Sequence, residues 1–173
     1  MEVRVLNATD AADFQSLRLE ALRESPTAFT SSYEEERATP LARVAERLAP
    51  TPNGVVLGAF EEGVLIGLTG IYRERLRKLA HKGVVWGVYV APAFRNRGIG
   101  RRLLTEAIRQ AAAMPGLKQL NLSANAANPG ALALYESMGF ERFGFERACM
   151  WVDGEPYDEI QMSRSVSTPG APR

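Results

Sequence analysis

The residues best suited to chemistry lie between Val88 and Arg102, where an apolar stretch gives way to glycines and arginines. Their spacing predicts a strand that ends near Val90, a short turn, and a helix that begins near Gly98. Unpaired amide N–H groups at a helix start bind phosphate, and glycine lets an anion approach the backbone closely. The side chains that can add charge-assisted donors are Arg95, Arg97, Arg101 and Arg102. The segment therefore predicts a phosphate or pyrophosphate site.

Two common nucleotide-binding motifs do not fit this segment. The sequence contains no G-x-x-x-x-G-K-[ST] string, which excludes a P-loop. The pattern Arg95-x-x-Gly98-x-Gly100 lacks the third glycine of the dinucleotide fingerprint. An ordinary strand-to-helix turn with a solvated arginine face is the alternative interpretation of the Gly-x-Gly pattern.

The elements that must position this segment follow from hydrophobic periodicity. Residues 84–90 are apolar on both faces, which is typical of a strand at the centre of a sheet. Residues 98–114 carry an apolar helical stripe. Along the chain the predicted order is strand, two helices, three strands, helix, strand, helix and two strands, with the second helix running from a capping box at Ser32 to Leu48. This order predicts an α/β domain with a mixed sheet.

The composition limits the kind of protein this can be. It favours one globular domain over residues 1–164, and the polar residues 165–173 are predicted to form a disordered tail. A formal net charge of +1 disfavours nucleic-acid and membrane partners. One cysteine and one histidine exclude a disulfide framework and a Cys/His metal cluster, so no metal is expected. The amino terminus lacks an export pattern and no apolar run approaches the roughly 20 residues that span a bilayer, so we expect a cytoplasmic protein.

A second motif lies at residues 128–140, where Asn-Pro predicts a helix N-cap followed by proline at the first helical position. The string Arg95-Asn96-Arg97-Gly98-Ile99-Gly100 resembles the R/Q-x-x-G-x-G/A acetyl-CoA loop of GNAT acetyltransferases. Asn128 to Phe140 resembles the later motif of that family, N-x-x-A-x-x-L-Y-x-x-x-G-F. The resemblance covers roughly residues 2–164. It implies a central mixed, mostly antiparallel sheet of about seven strands, flanked by about four helices.

The resemblance implies a role for each matching residue. Strand residues matching Val88, Tyr89 and Val90 offer backbone groups to the pantetheine arm and the thioester carbonyl of acetyl-CoA, where an N–H group stabilises the developing oxyanion. Asn128 contacts the cofactor near its reactive end, and Tyr135 is the general acid that protonates the departing thiolate. The residues that hold the pyrophosphate, mainly through backbone N–H groups, are Arg95, Asn96, Arg97, Gly98, Ile99, Gly100 and Arg101. Without the motif, Tyr135 would be interpreted as a core aromatic residue.

The sequence departs from the family pattern at the general base. Some members place a glutamate on the strand before the motif asparagine, and here that position is Ser123, which does not deprotonate an ammonium group at neutral pH. Several alternatives stay open for the removal of the amine proton. The enzyme could use a water relay to a distant carboxylate, or it could capture the unprotonated amine directly. The base could also be Glu74 or one of Glu34, Glu35 and Glu36.

The resemblance implies an N-acetyltransferase that moves acetyl from acetyl-CoA to a primary amine by direct attack in a ternary complex. The resemblance leaves two acceptor classes open, a small amine or amino acid and a protein amino terminus. It also leaves open whether the protein is a monomer or a homodimer. The aromatic residues considered as acceptor lining are Phe29, Tyr33, Trp86, Trp151 and Tyr157. An acyl-CoA-binding sensor that keeps the fold without productive catalysis is the alternative function.

Overall fold

The computed structural model describes residues 1–166 and contains a seven-stranded sheet with helices on both faces. The strand order is β1-β2-β3-β4-β5-β7-β6, and every neighbouring pair is antiparallel except β4 and β5. The strands are β1 (Glu2–Val5), β2 (Gly54–Glu61), β3 (Val64–Arg73), β4 (Lys82–Val90), β5 (Gln119–Asn125), β6 (Glu141–Val152) and β7 (Glu155–Ser165). The α-helices are α1 (Ala11–Glu24), α2 (Tyr33–Glu36), α3 (Leu41–Leu48), α4 (Ile99–Ala112) and α5 (Pro129–Ser137). Among residues 1–166, no helix combines the length and apolar composition needed to cross a bilayer.

Two apolar cores lie on opposite faces of the sheet. One core contains buried residues of α4 and α5, and the other contains buried residues of α1 and α3. Adjacent strand residues alternate between them, since Val56 packs with α1 and α3 while Leu57 packs in the core of α4 and α5. Fully burying an aliphatic or phenylalanine side chain contributes about 1.5–3 kcal/mol. The two layers therefore fix β4 at the centre of the sheet, as its apolar sequence predicts.

The predicted α/β class, the central strand and the sheet of about seven strands are confirmed, but the predicted second helix is wrong as a single element. Residues 33–48 form the short helix α2 and the separate helix α3, so the chain has five α-helices in residues 1–166. Pro40 lies between them with extended backbone (φ −61°, ψ 142°) and acts as the N-cap of α3. Proline has no N–H and disfavours helical conformation in the residue before it, which explains the break.

The carboxyl-terminal end of the described chain is ordered past the predicted domain end at Arg164. Ser165 is the last residue of β7. Val166 is buried in the core, and its amide donates a hydrogen bond to the carbonyl oxygen of Lys118 at 2.9 Å. The remainder of the predicted disordered tail, 167–173, lies outside the described residues.

Candidate active site

Strands β4 and β5 separate along their length, which opens the sheet beside β4. They pair only where Lys82 to Val84 meet residues 119–121 of β5. Past Val84, β4 is therefore not paired with β5. Gly87 adopts a left-handed φ of +65° at a bulge, where the register of β3 against β4 shifts. The bulge reverses the alternation of side chains, because Val85 packs in the core of α4 and α5 whereas Tyr89 packs in the core of α1 and α3.

A cavity of about 450 Å³ lies between β4, the start of α4, and α5. Its volume lies within the range of small-molecule sites, about 300–1,000 Å³. The predicted site residues that line it are Val88, Tyr89, Val90, Arg95, Asn96, Gly98, Ile99, Gly100, Arg101, Asn128 and Tyr135. The fold thus brings together two motifs that are distant in sequence. Arg97 is the predicted site residue that does not line this cavity.

The turn before α4 contains a run of backbone donors, unpaired within the described chain, beside the cavity. Asn96 (φ +62°) and Gly98 (φ +75°) both adopt left-handed conformations, and Gly98 is the N-cap of α4. Among residues 1–166, no atom accepts a hydrogen bond from the consecutive amides of Asn96 to Arg101, and helical bonding begins when the Arg102 amide donates to Gly98. Such a concave run of N–H groups at a positive helix end binds anions. The turn is therefore chemically suited to a pyrophosphate.

Two of the arginines around this turn are paired with carboxylates. Arg95 donates to both carboxylate oxygens of Glu24 at 3.0 and 2.6 Å, and Arg97 donates to those of Glu61 at 3.0 and 2.6 Å. Hydrogen bonds from Arg95 lower the pKa of Glu24 despite its partial burial, so that carboxylate stays ionised. Arg95 and Arg97 are therefore less available to an anion than the arginine pattern suggests, whereas the backbone amides of Asn96 to Arg101 are unpaired among residues 1–166.

Arg101 holds the two motif helices together. Its guanidinium donates to the hydroxyl oxygen of Ser137 at 2.8 Å, at the end of α5. The Arg101 side chain belongs to the first turn of α4 and lines the cavity, so this bond links the start of α4 to the end of α5.

Asn128 and Tyr135 lie two turns apart on α5 and both face the cavity. Asn128 is the helix N-cap, and its side-chain oxygen accepts the amide of Ala131 at 3.0 Å. Tyr135 is 7% exposed and packs edge-on against Phe140, with ring centroids 6.2 Å apart. Burial raises the pKa of Tyr135 to about 12, so its phenol stays protonated at neutral pH. The Tyr135 phenol can therefore donate a proton at neutral pH.

Val88, Tyr89 and Val90 contribute differently to the cavity. Val88 and Val90 pack against the core of α4 and α5. The Tyr89 side chain is buried in the other core, and its hydroxyl donates to Glu20 at 3.2 Å. Burial, reinforced by the charge of Glu20, raises the pKa of Tyr89. Only the backbone of Tyr89 is therefore suited to a ligand in the cavity, which matches the role that its motif position implies.

A smaller channel of about 70 Å³ continues from the cavity toward the gap between β4 and β5. It shares Val88, Asn128 and Tyr135 with the cavity and is also lined by Phe29 and Trp86. Ser123 lines the channel, as its motif position requires. Tyr33, Trp151 and Tyr157, which the sequence also suggested as acceptor lining, do not line either space.

No carboxylate is among the described residues that line the cavity or the channel. The carboxylates that sequence reasoning considered as bases lie elsewhere. Glu36 pairs with Arg18 at 2.8 Å, and Glu35 caps α2 by accepting the amide of Ser32 at 2.7 Å. Glu34 is exposed, and Glu74 lines a separate groove. A carboxylate base in direct contact with an acceptor in the channel therefore has no support in this geometry.

Comparison with known proteins decides the family. The family model described as acetyltransferase (GNAT) family matches residues 18–140, which include both motifs. The chain belongs to the GNAT acetyltransferase family. It is 37% identical over 119 residues to the N-alpha-acetyltransferase RimI of Mycobacterium tuberculosis, covering 69% of this chain and 71% of that protein.

Solved GNAT structures share the fold along almost the whole chain. A GNAT-family acetyltransferase from Streptococcus pneumoniae superposes with a TM-score of 0.84 at 24% identity, covering 96% of this chain and 99% of that one. The yncA protein of Salmonella typhimurium, solved with acetyl-CoA, has a TM-score of 0.80 at 22% identity, covering 100% and 98%. The GNAT fold predicted from the two motifs is confirmed, and the chain is an acetyltransferase.

Sequence reasoning missed several residues that shape the GNAT site. Gly87 interrupts an apolar strand, and a glycine inside a strand pattern is a signal for a bulge. Asn125 is buried, donates to the carbonyl oxygen of Thr27 at 3.0 Å and accepts the amide of Ala127 at 2.8 Å. These bonds attach the segment between α1 and α2 to β5. No local pattern identifies such a contact, because its partners are far apart in sequence.

Replacing Asn125 with Ala is expected to destabilise the fold beside the channel. The change leaves the Ala127 amide and the Thr27 carbonyl without their side-chain partner, which costs about 1–3 kcal/mol in the free energy of unfolding. Urea denaturation measures the difference. Asn121→Ala on the same strand is the matched control, because Asn121 bonds only to the side chain of Gln119 and should change stability by less. Equal stability of Asn125→Ala and the unmodified protein would contradict this role.

Proposed function

We propose that this GNAT acetyltransferase transfers acetyl from acetyl-CoA to the α-amino group of a peptide or protein amino terminus. The observation that carries the proposal is the lining of the cavity and channel, which offers a protonated phenol at Tyr135 and no carboxylate among the described residues. Such a site has a proton donor for the leaving group but no direct base for an ammonium ion. It therefore favours acceptors that are already partly unprotonated at neutral pH.

The pKa values of amines separate the candidate acceptors. An α-amino group has a pKa of about 7.7–8.0, whereas a lysine side chain has a pKa of about 10.4. At pH 7 the unprotonated fraction of the α-amine exceeds that of lysine by about 300-fold. In a site without a direct base only the unprotonated amine reacts, so this difference favours the α-amine over lysine. The relationship to the N-alpha-acetyltransferase RimI of Mycobacterium tuberculosis supports the same acceptor class.

In the proposed reaction, acetyl-CoA is a substrate that supplies the acetyl thioester. The amides of Asn96 to Arg101 bind its pyrophosphate, and the edge of β4 near Val88 and Val90 aligns the arm that bears the thioester. The unprotonated amine in the channel forms the new C–N bond as the C–S bond breaks. The leaving thiolate takes the proton of Tyr135, the amide product loses its surplus proton to water, and water returns a proton to the Tyr135 phenolate before the next turnover.

A covalent acyl-enzyme has no suitable nucleophile in this geometry. Cys149 lies on β6, outside the residues that line the cavity and channel. Burial and a hydrogen bond to Glu159 raise its pKa to about 11, so the thiol stays protonated at neutral pH. This supports direct transfer in a ternary complex.

The proposed acceptor class predicts a specific pH dependence. With acetyl-CoA at saturation, kcat/KM for a peptide with an α-amine and no lysine should rise with pH, with a midpoint near pH 8 and a plateau above about pH 9. For an amino-terminally blocked peptide with one lysine, kcat/KM should still be rising at pH 10 and should be at least about tenfold lower at pH 7. Because the pKa of Tyr135 is about 12, loss of the acid should not reduce either rate in this range.

Two outcomes would contradict the proposal. A plateau below pH 7 for both peptides would reveal an enzymic base and remove the reason for α-amine selectivity. Binding of acetyl-CoA without turnover on any amine in a panel of peptides, amino acids and polyamines would favour the sensor function instead. Thiol release monitored with a chromogenic disulfide measures turnover in both cases.

A further inference from the structure

Arg18 on α1 is a buried cation with one donor that has no protein partner. The residue is 5% exposed, and its Nε and Nη2 atoms donate to the Glu36 carboxylate at distances of 2.8–3.2 Å. Burial works to raise the pKa of Glu36, but the hydrogen bonds and charge of Arg18 outweigh burial, so the pKa is lowered. The pair is therefore ionised. Within residues 1–166, the Nη1 atom of Arg18 is buried and has no hydrogen-bond partner.

The unpartnered Nη1 atom lies beside Gly87, which lines the channel. A Cβ atom placed on Gly87 would lie 3.9 Å from Nη1 and 3.6 Å from Cδ1 of Leu68, both ordinary van der Waals distances, so the missing side chain leaves room for about one atom next to Nη1. The guanidinium also stacks over the ring of Phe29, 4.7 Å from its centroid. Gly87 and Phe29, which both lie next to the Arg18 guanidinium, both line the channel.

Leaving a charged donor buried without a partner is unfavourable, and buried polar groups are normally satisfied by a protein group, a water or a ligand. Because Glu36 already neutralises Arg18, a second buried carboxylate at Nη1 would lack a compensating charge. A neutral carbonyl oxygen satisfies Nη1 without adding charge. In a peptide amino terminus, such an oxygen lies on the carbon next to the one that bears the α-amine.

We propose that Arg18 Nη1 donates a hydrogen bond to the first peptide carbonyl of the acceptor, in the space over Gly87. This inference rests on the proposed function, because it assigns the group that recognises a peptide amino terminus. Binding requires the Phe29 ring to turn aside, since Nη1 is buried in the described chain. Arg18 is then a specificity residue that distinguishes peptides from amines without the carbonyl and from free amino acids.

The test compares acceptors that differ only at this carbonyl. One is an amidated alanine tetrapeptide with an unblocked amino terminus, and the other replaces the first peptide bond with its (E)-alkene isostere. A third acceptor is free alanine. Expressed per unprotonated amine, kcat/KM of the unmodified enzyme should be at least about tenfold higher for the peptide than for the isostere, since 1.4 kcal/mol corresponds to tenfold.

The variant Arg18→Met with Glu36→Met removes the donor without leaving an unpaired buried charge, a replacement that proteins tolerate. Its preference for the peptide over the isostere should fall to within about twofold, while coenzyme A affinity stays unchanged. Arg109→Met with Glu106→Met is the matched control, because this pair lies on α4 away from the channel. The control should keep the full preference.

Three results would overturn the inference. The first is an equal kcat/KM for peptide and isostere in the unmodified enzyme, which does not depend on any variant folding. The second is an unchanged preference in the folded Arg18→Met, Glu36→Met variant. The third is a preference for free alanine that this variant loses, which would assign Nη1 to a carboxylate. Absence of turnover on every peptide is a separate result, which refutes the proposed function and the inference together.

Discussion

Tyr135→Phe is expected to lower kcat by about 10- to 100-fold while coenzyme A affinity stays within about twofold. The phenol provides the only proton donor that we assign to the leaving thiolate. General acid catalysis is typically worth 10²- to 10⁴-fold, and the low end applies because a thiol, with a pKa near 8.5, leaves readily as the anion. Steady-state kinetics with a peptide acceptor and calorimetric titration with coenzyme A measure the two quantities.

The phenylalanine substitution preserves the structural role of the ring. Its edge-on packing against Phe140 does not involve the hydroxyl, so the fold should remain intact. Tyr157→Phe is the matched control, since Tyr157 is half-buried and lines neither the cavity nor the channel. That control should retain full activity. A Tyr135→Phe enzyme with unchanged kcat would show that the thiolate leaves without this acid.

Gly100→Glu is expected to weaken coenzyme A binding by at least about 100-fold. The substitution places a carboxylate in the first turn of α4, beside the amides that we assign to the pyrophosphate. Repulsion between unit charges about 4 Å apart near a protein surface reaches roughly 4 kcal/mol, which corresponds to about three orders of magnitude in affinity. Calorimetric titration with coenzyme A at low and high salt checks both the loss and its electrostatic origin.

Two controls separate charge from shape at this position. A Cβ on Gly100 would lie 3.2 Å from the Cδ2 atom of Leu134, the end of a flexible side chain, so Gly100→Ala should fit after a small shift. Thr105→Glu adds the same charge to an exposed position of α4 that does not line the cavity. Both controls should bind coenzyme A with an affinity close to that of the unmodified protein. Equal affinity of Gly100→Glu would remove the pyrophosphate from this turn.

Local sequence patterns predicted the parts of the fold and site that depend on neighbouring residues. The helix start at Gly98, the cap at Asn128 and the central strand before them each follow from residue types a few positions apart. The cavity then forms because β4 and α5 carry these residues to one place. The break at Pro40 was also visible in the sequence, since proline before an apolar helical run marks a boundary.

Contacts between distant residues were not predictable in this way. Arg95 pairs with Glu24 and Arg97 pairs with Glu61, so two arginines that look available in the sequence are compensated in the fold. The Arg18–Glu36 pair is likewise formed by residues of two helices whose packing no periodicity specifies. Charge patterns therefore led to the proposed anion site, but they did not show that two of its arginines pair with carboxylates.

We propose that the amides of Asn96 to Arg101 bind the pyrophosphate of coenzyme A. Amide ¹H–¹⁵N correlation spectra recorded during titration with coenzyme A test it most directly, because each glycine amide reports its own hydrogen bonding. We predict that the Gly98 and Gly100 resonances move most, while those of Gly116, beyond the other end of α4, and Gly154, in the turn between β6 and β7, stay in place. Saturable binding that shifts other resonances and leaves Gly98 and Gly100 unmoved would contradict the account.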